Sequence, residues 1–326
     1  MTLALEAEAG RKNLRHTMAT SIYVLGEALM DCMAQDDGRL LPLMGGSPYN
    51  MARAAARRGA QVNYLNALST DRFGEQLAAQ LLEDGVHLIS QRSTRPTSLA
   101  VVQLTHGQAS YSFYREGIAD RDYTADQIIT MLVSVQPGIF HTGSLMLVPP
   151  EHEKAMEIVM AARDLGWIIS LDINLRPELA HEPSAYRDAV QRFLPMAHWL
   201  KASEEDLQVL GYQISALTQA PLVAKELRTL GVRRVALTFG SEGAFLDVDG
   251  HQSQQTVPKI ALIDTVGAGD TFWGNCVAEW ALGLNDAASS VSSTLTHAMA
   301  AAAINCSRQG CQPPSWAQTE AFIAVA

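Results

Sequence analysis

Asp270 closes the run Asp264-Thr265-Val266-Gly267-Ala268-Gly269-Asp270, and Thr271-Phe272-Trp273-Gly274 follows it directly. The small side chains of Gly267, Ala268 and Gly269 let backbone N–H groups come close to an anion. The first turn of a helix adds unpaired donors with the positive end of the dipole behind them. A phosphate oxygen suits that place. An aspartate in the same turn is either a helix cap or, beside a bound anion, a base that can take the proton of an attacking hydroxyl. The chemistry this allows is phosphoryl transfer to an alcohol, and the alternative is an ordinary Gly-rich turn capped by Asp.

Other chemistries lack their residues. The chain has no G-x-x-x-x-G-K-[ST] loop, no G-x-G-x-x-G after the first apolar run and no G-x-S-x-G elbow. Its histidines form no H-E-x-x-H array, and His141 and His152 read as structural or surface residues. Cys32, Cys276, Cys306 and Cys311 have no CxxC pair or framework spacing, which favours free thiols. A net charge of -10 without a basic run argues against nucleic-acid partners. The same charge requires amide donors, Lys or Arg, and a divalent metal to overcome repulsion wherever a polyphosphate binds. No uninterrupted apolar stretch reaches membrane-spanning length and no leader pattern opens the chain, so a cytoplasmic protein without a membrane partner is expected.

The elements that would position Asp270 follow from periodicity. Apolar content of 48% against 18% charged residues supports one large buried core over the 326 residues. Short apolar runs at 22–25, 62–65, 139–141, 168–172, 199–201 and 235–238 predict strands. Amphipathic stretches at 47–58, 74–82, 151–165 and 185–193 predict helices between them. This alternation predicts βαβ units and a mainly parallel sheet. Residues 99–114 alternate apolar and polar side chains, as in a sheet exposed on one face. Residues 1–20 show little apolar pattern and read as a disordered tail, with Met18 an alternative start.

Asp264 to Asp270 matches D-T-x-G-A-G-D at every fixed position. Gly45-Gly46-Ser47-Pro48-Tyr49-Asn50-Met51-Ala52 matches G-G-[AS]-x-x-N-x-A, and Asp71-Arg72-Phe73-Gly74 with Leu81, Gly85 and Val86 matches the D-x-F-G…L…G-V continuation. In this order the motifs resemble the ribokinase-like, phosphofructokinase-B type carbohydrate kinases over residues 21 to 314. The resemblance implies a three-layer α/β/α sandwich over residues 21–326, with a small β-sheet lid from about 29–43 and 97–118. It also implies ATP and Mg2+, K+ as in several relatives, and a homodimer through the lid.

Site residues come with it, one by one. Asp31, in Gly26-Glu27-Ala28-Leu29-Met30-Asp31, resembles the aspartate that accepts sugar hydroxyls. Asn50, whose amide both donates and accepts, would also bind the sugar, with Gly45 and Gly46 admitting the backbone; a polar residue at a helix start is the plainer reading. Arg115, ending the lid segment, either reaches an acidic or ketose substrate or is a solvated edge-strand residue. Arg176, in Asp172-Ile173-Asn174-Leu175-Arg176, matches the D-x-N-x-R of fructokinase-like and ketodeoxygluconate kinase-like members, and otherwise pairs with Asp172. Lys201 and Glu204 occupy the N-x-x-E element of the nucleotide half, with Lys replacing Asn, and the resemblance implies that Lys201 binds the nucleotide. Glu204 would hold Mg2+ through water, or be a surface carboxylate at a helix start.

Thr238, Gly240 and Gly243 resemble the T-x-G-x-x-G nucleotide loop. Asp264 resembles part of a monovalent-cation site, and the helix from His297 to Asn305 would flank the adenine. Asp270 would be the base and Gly267, Ala268 and Gly269 the anion hole. The implied function is phosphorylation of a primary hydroxyl of a small sugar, with fructose expected first and 2-keto-3-deoxygluconate as the alternative. Ribokinase or nucleoside kinase chemistry ranks lower, and a silent sugar sensor would be expected to have lost Asp270 or an anion-hole glycine.

Overall fold

The computed structural model describes residues 19–35, 37–105, 108–180, 182–283 and 290–325. The expected tail lies outside them up to residue 18, as does Met18. Thr20 already belongs to the fold, since its N–H donates to the Ala281 carbonyl at 2.8 Å.

The strands in chain order are β1 (Ile22–Val24), β2 (Leu29–Ala34), β3 (Leu40–Gly45), β4 (Val62–Tyr64), β5 (Val86–Leu88), β6 (Ser98–Thr105), β7 (Gln108–Tyr114), β8 (Ile139–Gly143), β9 (Ile168–Asp172), β10 (Trp199–Ser203), β11 (Arg234–Thr238), β12 (Ala244–Val248) and β13 (His251–Gln255). Interleaved are helices α1 (Ser47–Arg58), α2 (Arg72–Glu83), α3 (Ala125–Val133), α4 (Glu151–Asp164), α5 (Pro183–Phe193), α6 (Glu204–Val209) and α7 (Ala220–Thr229). After β13 come α8 (Ala268–Ala281), α9 (Val291–Cys306) and α10 (Trp316–Ile323). One sheet runs β13-β12-β11-β10-β9-β8-β1-β4-β5, parallel from β11 to β5 and antiparallel at β12 and β13.

Side-chain alternation along each strand divides the core into two. Phe140, Leu200, Val235, Leu237 and Phe245 face α3, α4, α5 and α7. Their chain neighbours Ile139, Trp199, Ala236, Ala244 and Leu246 face α1, α2, α8 and α9. Two helical layers thus sandwich the sheet, and strands covered on both faces need not alternate apolar with polar. The second sheet, β3-β2-β6-β7, is antiparallel except for the β2–β6 pair, and forms the expected lid. Boundaries move by one or two residues: β10 runs on to Ser203, where the Ser203 hydroxyl accepts from Asp206 N at 3.1 Å and starts α6.

The D-x-F-G motif is architectural. Asp71 caps α2 by accepting from Gly74 N at 2.7 Å, and the same carboxylate accepts from the Thr97 N–H and hydroxyl, both at 2.7 Å, which anchors the entry to lid strand β6.

Helix α1 is pressed against α8 where Gly274 leaves room. A Cβ there would meet Ala54 Cβ and the Met51 carbonyl, each at 2.7 Å. G274A is therefore expected to destabilise by about 1–3 kcal/mol through overpacking. Urea unfolding of the two proteins checks this; an unchanged midpoint would show that the helices part freely.

Candidate active site

The parallel strands deliver their C-terminal ends to one side of the sheet, the place where open α/β sheets bind ligands. There a cavity of about 570 Å³ opens between the sheet and the lid. Asp270, Lys201, Asn50 and Ser47 line it together with the loop 264–269, Asp31, Arg176 and Asn174. Val102 and Phe113 from the lid add apolar cover. Polar groups converging in a partly apolar hollow of this size suit a sugar and a phosphoryl group.

Asp270 sits in the first turn of α8 and is 7% exposed. Ser47 Oγ donates to its Oδ1 at 2.8 Å and Asn50 Nδ2 to its Oδ2 at 2.9 Å. Ser47 and Asn50 are three residues apart on α1, so one helix face presents both. Burial raises the Asp270 carboxyl above the usual range, and Lys201, Asn50, Ser47 and Arg176 pull it back down. Helix α8 starts at Gly267, whose φ of 72° lies in the left-handed region; a Cβ there would also collide with Cys311. Leaving the helix ladder, the N–H groups of Gly267 and Gly269 have no intrahelical acceptor. The expectation for Ala268 is corrected: its N–H donates to the Thr265 carbonyl at 3.1 Å and closes the turn.

Lys201 is fully buried under this loop. Its Nζ lies 3.0 Å from both oxygens of Asp172, and a Cβ on Gly269 would come within 2.9 Å of it. Burial opposes its charge, but Asp172, Asp206 and Asp270 outweigh that and raise its pKa, so the ammonium is kept. Asp172 itself is pushed up by burial to about 7 although Lys201 pulls the other way.

Asp31, in the same lining, is raised to about 6 by burial, with Arg176 lowering it and Asp270 and Asp264 raising it. Gly45 is needed behind it, since a Cβ would run into the Asp31 carboxylate. Gly46 forms the N-cap of α1 and lines the cavity. Arg176 reaches the cavity but does not pair with Asp172, whose oxygens belong to Lys201; its Nη1 donates to Asn174 Oδ1 at 2.7 Å and to the Leu175 carbonyl at 2.8 Å. Arg115 is neither a cavity residue nor solvated. Its side chain is 9% exposed and turns inward, with Nη2 at 3.8 Å from Asp120 Oδ2, because the buried carboxylates behind the lid attract it.

The residues expected around the nucleotide are less concentrated. Glu204 starts α6 outside the cavity, and its Oε1 accepts from Gln208 Nε2 at 2.9 Å, one turn on. Thr238 ends β11 and Gly240 and Gly243 follow it, but none of the three lines the cavity; Phe239 N donates to the Gly243 carbonyl at 2.9 Å and closes that loop. Asn305 corrects the adenine expectation. It is fully buried, its Nδ2 donating to the Val266 carbonyl at 2.8 Å and its Oδ1 accepting from Gln312 N at 2.8 Å, so it braces the anion loop from behind. Asp264 lines the cavity, and its two oxygens accept from Val266 N at 3.0 Å and Gly310 N at 2.8 Å.

Asp172, Ser47 and Glu27 join the site although sequence reasoning assigned them no role there. Each lay inside a motif already singled out, so the signal was present without a partner to give it meaning.

Comparison with known proteins identifies the family and the fold. The family model for pfkB family carbohydrate kinases matches residues 19–318. The chain belongs to this family. It is an ATP-dependent carbohydrate kinase of the fructokinase-like kind. A fructokinase of Rhizobium leguminosarum bv. trifolii is 30% identical over 260 residues, 77% of each chain. One from Escherichia coli is 28% identical over 260 residues, 78% of this chain and 82% of that one. Among solved structures, fructokinase with bound ATP from Xylella fastidiosa superposes with a TM-score of 0.79 at 27% identity, covering 94% of this chain and 99% of that one. Fructokinase from Vibrio cholerae O395 in a fructose, ADP and calcium ion bound form reaches 0.80 at 25%, covering 93% and 99%. No helix among the described residues is long and apolar enough to cross a membrane.

Proposed function

We propose that this kinase transfers the γ-phosphoryl group of ATP to a primary hydroxyl of fructose. The observation carrying the mechanism is the placement of Asp270, buried at the head of α8 with both oxygens held from α1 and the open start of its own helix beside it. Its oxygens keep lone pairs for the sugar hydroxyl proton. As the proton leaves, the sugar oxygen attacks the γ-phosphorus in line and the bond to the ADP oxygen breaks. Charge developing on the phosphoryl oxygens falls to the N–H groups of Gly267 and Gly269 and to Lys201. Asp31 and Asn50 hold the sugar, and Arg176 lies where a hydroxyl or carboxylate of the substrate would reach it.

For magnesium, the described residues contain no cluster of three or more His, Cys, Asp or Glu able to hold an ion, and Glu204 stands outside the cavity. Magnesium is therefore assigned to the triphosphate it accompanies, and no step here is routed through it. The carboxylate of Asp264 accepts one backbone donor at each oxygen and keeps lone pairs with which it would hold a monovalent cation, and no step is routed through that ion. Exposed Leu40, Leu41 and Tyr114 on the lid favour a homodimer through that sheet, which light scattering would detect.

The fructose assignment draws on the fructokinase relatives, one of them solved with fructose and ADP. A coupled ADP-release assay against fructose, ribose, 2-keto-3-deoxygluconate, adenosine and aminoimidazole riboside tests it. Preference for the keto acid would instead make Arg176 a carboxylate ligand, and silence on all of them would overturn the kinase mechanism. In the same assay D31N is expected to raise the sugar KM by about 10–100-fold, as loss of hydrogen bonds to a charged group would, with the ATP KM unchanged. Since only the ionised Asp31 is purely an acceptor, wild-type sugar affinity should also fall as pH drops below about 6.

A further inference from the structure

We infer that Glu27 is a positioning residue for the base, acting through Ser47. The inference rests on the reading of Asp270 as that base. Helix α1 has Gly46 at its N-cap and no side-chain cap of its own, and Pro48 removes a further donor from its first turn. The cap comes from another part of the chain. Glu27, in the loop after β1, accepts from Ser47 N at 3.1 Å through Oε1, a carboxylate at the positive end of a helix. Ser47 then passes the constraint on, because its Oγ donates to Asp270 Oδ1 at 2.8 Å.

Three features make the link stiff. Glu27 is 1% exposed. The loop that carries it is held at both backbone groups of Gly26, by Tyr64 Oη at 2.6 Å and Asn66 Oδ1 at 2.5 Å. Gly26 and Gly46 also bring the two segments into such close contact that a Cβ on Gly26 would strike Pro48 and one on Gly46 would strike the Glu27 carbonyl. Arg115, Ser144 and Asp120 supply the electrostatic surroundings of Glu27, which gives the inward turn of Arg115 a use. Because Ser47 N needs an acceptor, a neutral amide at position 27 satisfies the link as a carboxylate does.

Steady-state kinetics on E27A, E27Q, S47A and E27A/S47A, with D270N alongside, tests this. E27A and S47A should each lower kcat about tenfold with the sugar and ATP KM values within twofold. The double variant should fall no further than E27A alone, and E27Q should keep at least half of wild-type kcat. Independent, multiplying losses in the double variant overturn the inference. So does a raised sugar KM at full kcat in E27A, which would make Glu27 a substrate ligand, or an E27Q as impaired as E27A. If E27A does not fold, S47A decides: wild-type turnover there breaks the chain. A normal kcat in D270N would instead remove the base itself, a failure separable from that of Glu27.

Discussion

D270N is expected to lower kcat by about 10²–10⁴-fold, the usual contribution of a positioned general base, while the sugar KM changes by no more than a few-fold. Asparagine has nearly the shape of aspartate, its Oδ1 still accepts from Ser47, and Asn50 can turn its otherwise unpartnered Oδ1 toward the new amide, so packing at the head of α8 survives and the proton acceptor does not. The pH dependence carries the same information. A base works deprotonated, so activity falls as pH drops through its pKa. Because burial raises the Asp270 carboxyl, the acid limb of the kcat profile should lie above the ordinary carboxylate range. Rapid-quench or coupled-assay kinetics on wild type and D270N check both statements, and near-normal turnover in the variant would move the base elsewhere.

K201M should damage both turnover and stability. Removing the ammonium next to Gly269 takes away charge stabilisation where the phosphoryl group is proposed to sit, for which a loss of about 10²–10³ in kcat is the scale set by single oxyanion donors. Asp172, left buried without its partner, should destabilise the fold by about 3–5 kcal/mol. The sign of the pH effect follows. A carboxyl whose pKa is raised on folding binds a proton in the folded state that the unfolded chain has released, so stability falls as pH rises from the unfolded value toward the raised one. Asp172 stands at about 7 even with Lys201 present, and without it the window widens upward. Melting temperatures of K201M should thus fall more steeply than wild type between pH 5 and 8. K201M/D172N separates the two effects: it should recover most of the stability, since no lone charge is buried, and none of the turnover. Recovery of turnover as well would show Lys201 to be structural only.

Much of this was legible along the chain because it depends on local periodicity. Ile139 with Phe140 and Trp199 with Leu200 put apolar side chains on both faces because parallel strands are covered on both sides, and the boundaries moved by a residue or two, as where β10 runs on to the cap Ser203. The loop before Asp270 was readable because the Gly45–Ala52 and Asp71–Val86 motifs accompany it in order, whereas small residues ahead of a helix alone would fit an ordinary capped turn. What misled were residues whose reach is long. Arg115 was assigned to substrate or solvent, yet a flexible side chain goes where buried charge draws it, and Asp120 is close in space. Asn305 looked like part of a nucleotide wall, but both ends of its amide are consumed by the backbone of the anion loop and of the chain near Gln312.

The sequence by itself carried the family through its ordered motifs and the layered α/β architecture through its strand and helix periods, and it nominated Asp270 with its neighbouring glycines, because all of these are written in consecutive positions. Only the tertiary structure decided which charges meet. Asp172 lies 29 residues from Lys201, Glu27 lies 20 from Ser47, and Ser47 lies 223 from Asp270. Hydrogen bonds and ion pairs act over about 3 Å of space whatever the separation in chain. The partners of a buried carboxylate are therefore chosen when the sheet and helices pack.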